Sequence, residues 1–176
     1  MASQVIPVTS FIAYIAQKPY CDCDVISVTH SKDLKSVVLH EYLHLIIRHK
    51  PSNAWCRLLV ERQTNQDQVI VGYWPWVPVP AGPVASRSSG KQLPLPLLMC
   101  NLRLKSLSLQ FVANILLVVH RLQPKYHVLF ANCFWYAGAV FEILRGTSGS
   151  QYRDWPSISL KALPIIPHSL LVLRNS

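Results

Sequence analysis

Asn132-Cys133 stands between a short apolar run, Tyr126 to Phe130, and a helical stretch that reads from Cys133 to Arg145. A thiol at the first turn of a helix meets the positive end of the helix dipole and its uncommitted N–H groups. Both favour thiolate over thiol and could hold a developing oxyanion. Asn132 is a good N-cap, because its side-chain oxygen can take a first-turn N–H, and it belongs to the same candidate oxyanion site. The plain alternative is that Cys133 is a small buried residue, as free cysteines commonly are.

A thiol nucleophile needs a base within hydrogen-bonding reach and a third group to orient that base. His40 and His44 are the candidate bases. They lie in Lys35 to Arg48, a stretch rich in β-branched and aromatic residues that ends in the turn signal Pro51-Ser52-Asn53. In a strand His40, Tyr42 and His44 share one face, while Glu41, Leu43, Leu45 and Ile47 take the other. Residues 55–63 read as the returning strand of a hairpin, which brings Glu61 or Gln63 opposite His40. Such a carboxylate or amide, accepting the Nδ1–H, would leave Nε2 to face the cysteine. For His44 itself, and for His49, His120, His127 and His168, the structural reading is favoured.

His40-Glu41-Tyr42-Leu43-His44 also satisfies H-E-x-x-H. On a helix that pattern sets two histidines on one face to bind zinc, with the glutamate between them as general base. The alternative metal set is therefore His40, His44 and Glu61, with Glu41 as base and Zn as cofactor. It needs a helix. Extended, the two histidine Cα atoms are about 13 Å apart, too far to share an ion, so the strand reading carries no metal site and no cofactor.

The elements that position these groups follow from periodicity and turn chemistry. A short helix is expected around Phe11 to Gln17, and a third strand over Val69 to Trp76. Apolar residues at helical spacing from Ser106 to Leu122, with Ser106 or Ser108 as cap and Pro124 as stop, predict a long helix. A strand over 126–130 and a helix from 133 to about Gly146 complete a helix-strand-helix block. Residues 75–96 hold six of the thirteen prolines, and 78–98 is expected to be a Pro/Ser/Gly-rich loop or lid. Residues 147–176 read as an irregular C-terminal extension in which Ile158 to Leu173 forms a short strand or packs along the surface.

The chain of 176 residues, 51% apolar and 14% charged, suits a single globular domain over 1–176. Its net charge of +9 comes from seventeen Lys and Arg of which no two are adjacent. No concentrated basic patch or nucleic-acid motif accompanies that charge, so no specific nucleic-acid partner is expected. The longest apolar run, Phe111 to Val119, is too short to span a bilayer. Five cysteines, at 21, 23, 56, 100 and 133, and the lack of a secretory-type N-terminal signal favour reduced thiols in the cytoplasm or nucleus. The Cys21-Asp22-Cys23 spacing does not suit a zinc knuckle.

A histidine on an early strand, a following strand with a polar residue, a helix, and then Asn-Cys opening another helix together resemble the circularly permuted papain-like fold of NlpC-type proteins. Lecithin retinol acyltransferase-like and PPPDE-type proteins belong to that fold. The His40-Glu41 strand and Asn132-Cys133-Phe134-Trp135-Tyr136-Ala137 are also similar to a group of fungal proteins with the same order of elements. The resemblance spans roughly residues 35 to 145. It implies an α+β fold, an antiparallel sheet of about 4–5 strands with packed helices, with Cys133 as nucleophile, His40 as base and Glu61 or Gln63 as third member. The implied activity is that of a cysteine hydrolase or acyltransferase on an amide, ester or thioester in a peptide or small molecule. Phe134-Trp135 replaces the Glu-His pair of the retinol acyltransferase relatives. A catalytically inert interaction module on the same fold is the other alternative, with Trp74-Pro75-Trp76 and the following prolines docking a protein partner.

Overall fold

The computed structural model describes residues 3–33, 40–72, 77–78, 96–101, 107–127, 132–149 and 152–154. Its described part is α+β: an antiparallel sheet packed by three helices. In chain order the elements are β1 (Gln4–Pro7), α1 (Val8–Ile15), β2 (Cys23–Lys32), β3 (Glu41–His49), β4 (Ala54–Arg62), β5 (Asp67–Val71), β6 (Val77–Pro78), β7 (Pro96–Asn101), β8 (Leu107–Ser108), α2 (Leu109–Leu122), α3 (Cys133–Ser148) and β9 (Tyr152–Asp154). A single 3-10 turn, Tyr20–Asp22, precedes β2.

The sheet is wider than the four or five strands expected. Its main path runs β1-β5-β4-β3-β2-β7-β9, with β6 pairing β4 and β8 pairing β2. The centre is the β2-β3-β4 meander, and β3 and β4 form the hairpin anticipated around Ser52-Asn53, where Asn53 takes a positive φ of 51°.

One face of the sheet carries the core. Alternate residues Leu43, Leu45 and Ile47 of β3, and Leu58 and Val60 of β4, are fully buried. They join Phe11 and Ile15 of α1, Val112 and Leu116 of α2, and Tyr136, Val140, Phe141 and Leu144 of α3 in a single apolar cluster. The spacing Val8, Phe11 and Ile15 shows why α1 is a helix: it turns one apolar edge to the sheet. Begun by Pro7, α1 starts three residues earlier than expected.

Helix α2 begins after Ser108, whose hydroxyl accepts from the Phe111 N–H at 3.2 Å. Helix α3 runs through Gly146, expected to be its end, and stops at Gly149, which supplies the left-handed φ of 62° that closes the last turn. The expected extension therefore begins as helix at 147–148 and includes β9. Two other expectations are corrected. Residues 1–30, expected to hold at most a short helix, also supply β1 and most of the long strand β2. Residues 96–98 of the expected loop open β7, with Pro96 at the first strand position, which costs no interior ladder bond. Trp74-Pro75-Trp76, residues 79–95, 128–131 and 158–173 lie outside the described residues, so the expected strand over 126–130 is represented only by an isolated bridge at His127. Among the described residues no helix is long and apolar enough to cross a membrane.

Candidate active site

The structure brings Cys133, His40 and Glu61 together from three elements. Cys133 is the first residue of α3 and is buried. Asn132 caps that helix: its Oδ1 accepts from the Trp135 N–H at 3.0 Å, and its carbonyl takes the Tyr136 N–H at 3.1 Å. His40 lies immediately before β3, and Glu61 is the penultimate residue of β4. The His40 ring is hydrogen-bonded to the Cys133 sulfur, and its Nε2 lies 2.8 Å from Glu61 Oε2.

The ring orientation corrects the expectation. Nε2, not Nδ1, takes the carboxylate, which leaves Nδ1 for the sulfur. Gln63, which the β3–β4 register would set opposite His40, instead enters the turn to β5, donating its N–H to the Gln66 carbonyl at 2.9 Å. Its side chain hydrogen-bonds to Glu61 and so supports the carboxylate rather than the ring.

Gln68 is a participant that sequence reasoning missed. Its Nε2 donates to Glu61 Oε1 at 2.6 Å, and Gln66 Nε2 donates in turn to Gln68 Oε1 at 2.9 Å. Gln68 faces Glu61 directly across the β4–β5 ladder, a pairing that an exact register would have revealed and that composition does not. Glu41 is another. Its backbone N–H and that of Phe134 both donate to the Cys133 sulfur.

These contacts set the charge states. Burial pushes the Cys133 thiol up, but hydrogen bonds from His40 and from the Glu41 and Phe134 N–H groups outweigh it and hold the thiol below its ordinary value. The contrast lies within the same chain: burial drives the thiols of Cys23 and Cys56 up to about 12. The hydrogen bond to Cys133, followed by that to Glu61, raises His40 to about 9. Burial also pushes the Glu61 carboxyl up, and hydrogen bonds from His40, Gln68 and Gln63 more than reverse this. The state that satisfies all three groups is a thiolate–imidazolium pair backed by a carboxylate.

The H-E-x-x-H segment is not helical, which overturns the zinc set. Residues 41–44 are strand. His40 Nε2 is committed to Glu61, and His44 sits beyond Tyr42, whose ring lies 5.9 Å from that of His40 and 5.2 Å from that of His44. Burial, followed by the charge of Arg57, lowers His44 to about 4. Among the described residues no three His, Cys, Asp or Glu side chains are grouped to hold a metal ion.

A cleft of about 270 Å³ lies alongside, lined by residues 62–67 and 124–126. It shares Gln63 with the hydrogen bonds on Glu61. Tyr126, which also lines it, has its phenol raised by burial and then by the charge of Cys133. Two of its lining residues form a buried ion pair in which Arg62 Nε and Nη2 each donate to an Asp67 oxygen at 2.6 Å. His120 of α2 joins Asp67 at 2.8 Å, and the Arg62 guanidinium lies over the rings of Trp135 and Tyr136 at 5.4 and 4.9 Å from their centroids. This network ties β4, β5 and α2 to the first turn of α3.

No protein-family model matches the chain, and neither a curated protein nor a solved structure is significantly similar to it.

Proposed function

We propose that the protein is a cysteine hydrolase or acyltransferase that works through Cys133, His40 and Glu61 on an amide, ester or thioester. The observation that carries this reading is the buried Cys133 thiol held below its ordinary value by a histidine whose second nitrogen rests on a carboxylate. Structural burial of a thiol does the opposite, as Cys23 and Cys56 illustrate. The order of parts, with the base at the start of an early strand and the nucleophile opening a later helix, supports a permuted papain-like arrangement of the NlpC type.

The Cys133 thiolate attacks the carbonyl carbon, forming the S–C bond while the carbonyl electrons move to oxygen. The Phe134 N–H is engaged by the sulfur and the Trp135 N–H by Asn132. That leaves the Cys133 N–H as the first-turn donor for the oxyanion. Collapse breaks the bond to the leaving group, which takes its proton from the His40 imidazolium. His40, now neutral, removes a proton from water or an acceptor alcohol or amine as that nucleophile attacks the thioester, and keeps it as Cys133 departs as thiolate, which restores the ion pair. Glu61 holds the ring in place throughout.

A thiol-reactive acyl-type probe tests this reading. It should label Cys133 at neutral pH ahead of exposed Cys21, of buried Cys23 and Cys56, and of Cys100, and His40→Ala should abolish that preference. Equal labelling in the wild type and in His40→Ala would sink it.

A further inference from the structure

Glu41, the residue that would be the general base of a metallopeptidase, has a different position here. It opens β3, one residue ahead of the point where the β3–β4 ladder begins at Tyr42 and Glu61. Its backbone N–H donates to the Cys133 sulfur, while its side chain turns inward and is 2% exposed. There Glu41 Oε2 meets His30 Nε2 at 2.8 Å, and Oε1 lies 3.6 Å from Lys32 Nζ.

His30, on β2, is equally buried, and its ring lies 6.0 Å from that of Phe141 in α3, the helix that carries Cys133. Its Nδ1 meets no hydrogen-bond partner among the described residues, so the ring's hydrogen-bonding commitment is to Glu41. A buried ionic or polar pair is a poor stabiliser, since well-packed apolar side chains of similar volume do as well or better. Stability alone is therefore a weak reason for this pair.

We propose that His30 is a positioning residue for the nucleophile: by gripping the Glu41 carboxylate against α3, it fixes the backbone N–H of Glu41 on the Cys133 sulfur. The inference rests on the reading of Cys133 as a thiolate nucleophile. At Glu41 the backbone is held by β2 alone, through its pairing with Lys32 and the Asp33 N–H to His40 carbonyl bond at 2.7 Å, because the β4 ladder begins only at Tyr42. The His30–Glu41 bond adds a side-chain hold at the point where the sulfur needs a donor. One ring touches the helix bearing the thiol and holds the side chain of the residue whose main chain solvates it.

The test is the pH profile of Cys133 alkylation by iodoacetamide in the full chain, read by mass spectrometry of the Cys133 peptide alongside a thermal melt. The double variant His30→Leu/Glu41→Leu removes the grip without leaving an orphaned buried charge. Its profile should move to higher pH, with the rate on the acid limb falling about tenfold for each unit moved. Glu41→Gln keeps a side chain that can accept from His30 and should leave the profile in place. A folded double variant with the wild-type profile would overturn the proposal. So would a profile shift in Glu41→Gln, since it would mean that the carboxylate charge acts on the thiolate directly; this arm decides the matter even if the double variant does not fold. A wild-type profile like that of an ordinary thiol would instead overturn the nucleophile reading and the proposal with it.

Discussion

Tyr42 stands directly opposite Glu61 in the β3–β4 ladder, and Glu61 reaches past this cross-strand partner to the ring of His40, two residues along the same face. The diagonal is within the reach expected between antiparallel neighbours on one face. It explains why the orienting carboxylate is Glu61 and not Gln63: the residue in formal register with His40 has already turned away toward β5.

Glu61→Gln preserves the size of this contact and removes its charge. The loss of a carboxylate that helps hold His40 at about 9 should bring the alkaline limb of the reaction to lower pH and cut the turnover rate about 10- to 100-fold. That is smaller than the roughly 10²–10⁴-fold of general acid–base assistance, because Glu61 orients the base and transfers no proton itself. A pH–rate profile of the purified variant, on any substrate the wild type turns over, checks both effects.

The pH window follows from two opposite shifts. His40 is raised from 6.5 to about 9, so the stability it contributes is complete below about 6.5 and is lost as pH climbs through about 9. Cys133 is lowered from 9.0, so its contribution is present above that ordinary value and is lost as pH falls through the depressed one. The ion pair exists between the depressed thiol value and about 9, and activity should follow a bell with its alkaline limb near 9. In Cys133→Ser the largest cause of the histidine shift is gone, and NMR titration should find His40 returned toward 6.5. A ring that still titrates near 9 would contradict the pairing.

Asn132 separates capping from chemistry. Asn132→Ala removes the acceptor of the Trp135 N–H and should cost about 1 kcal/mol in urea denaturation. Asn132→Asp keeps the cap but places a negative charge beside the thiolate. It should hold the melting temperature while moving Cys133 alkylation to higher pH.

The Arg62–Asp67 pair should be the costliest polar contact to break. Both side chains are almost fully buried, and Asp67→Ala leaves the guanidinium inside without its carboxylate. A loss of about 3–5 kcal/mol is expected from removal of one partner of a buried pair, measurable by chemical denaturation. A loss below about 1 kcal/mol would show that the network is not structural.

Strong periodicity made the hairpin and the two long helices legible. Leu43, Leu45 and Ile47 alternate cleanly, and Asn132 and Ser108 are residue types that cap helices. Strand β2 was not legible, because its register shifts between Val25 and Ser27. Its buried Val25 and Val28 therefore fall three apart and mimic no strand period. The site was legible as a set of residue types but not as a geometry. Which histidine nitrogen meets Glu61 depends on where the chain leaves the sheet at Gln63, and the parts played by Gln68, Glu41 and His30 depend on the exact register of neighbouring strands, β4 with β5 and β2 with β3.

His40 and Glu61 are 21 residues apart within one hairpin, whereas Cys133 comes from an element made much later in synthesis. Base and orienting group can assemble as soon as the hairpin closes, while the nucleophile joins them only when α3 docks, after a far longer loop has been closed. Until then the cysteine is an ordinary, weakly nucleophilic thiol. On the proposed function, full reactivity would thus be withheld from the nascent chain, and its appearance would serve as a chemical clock for the last long-range step of folding.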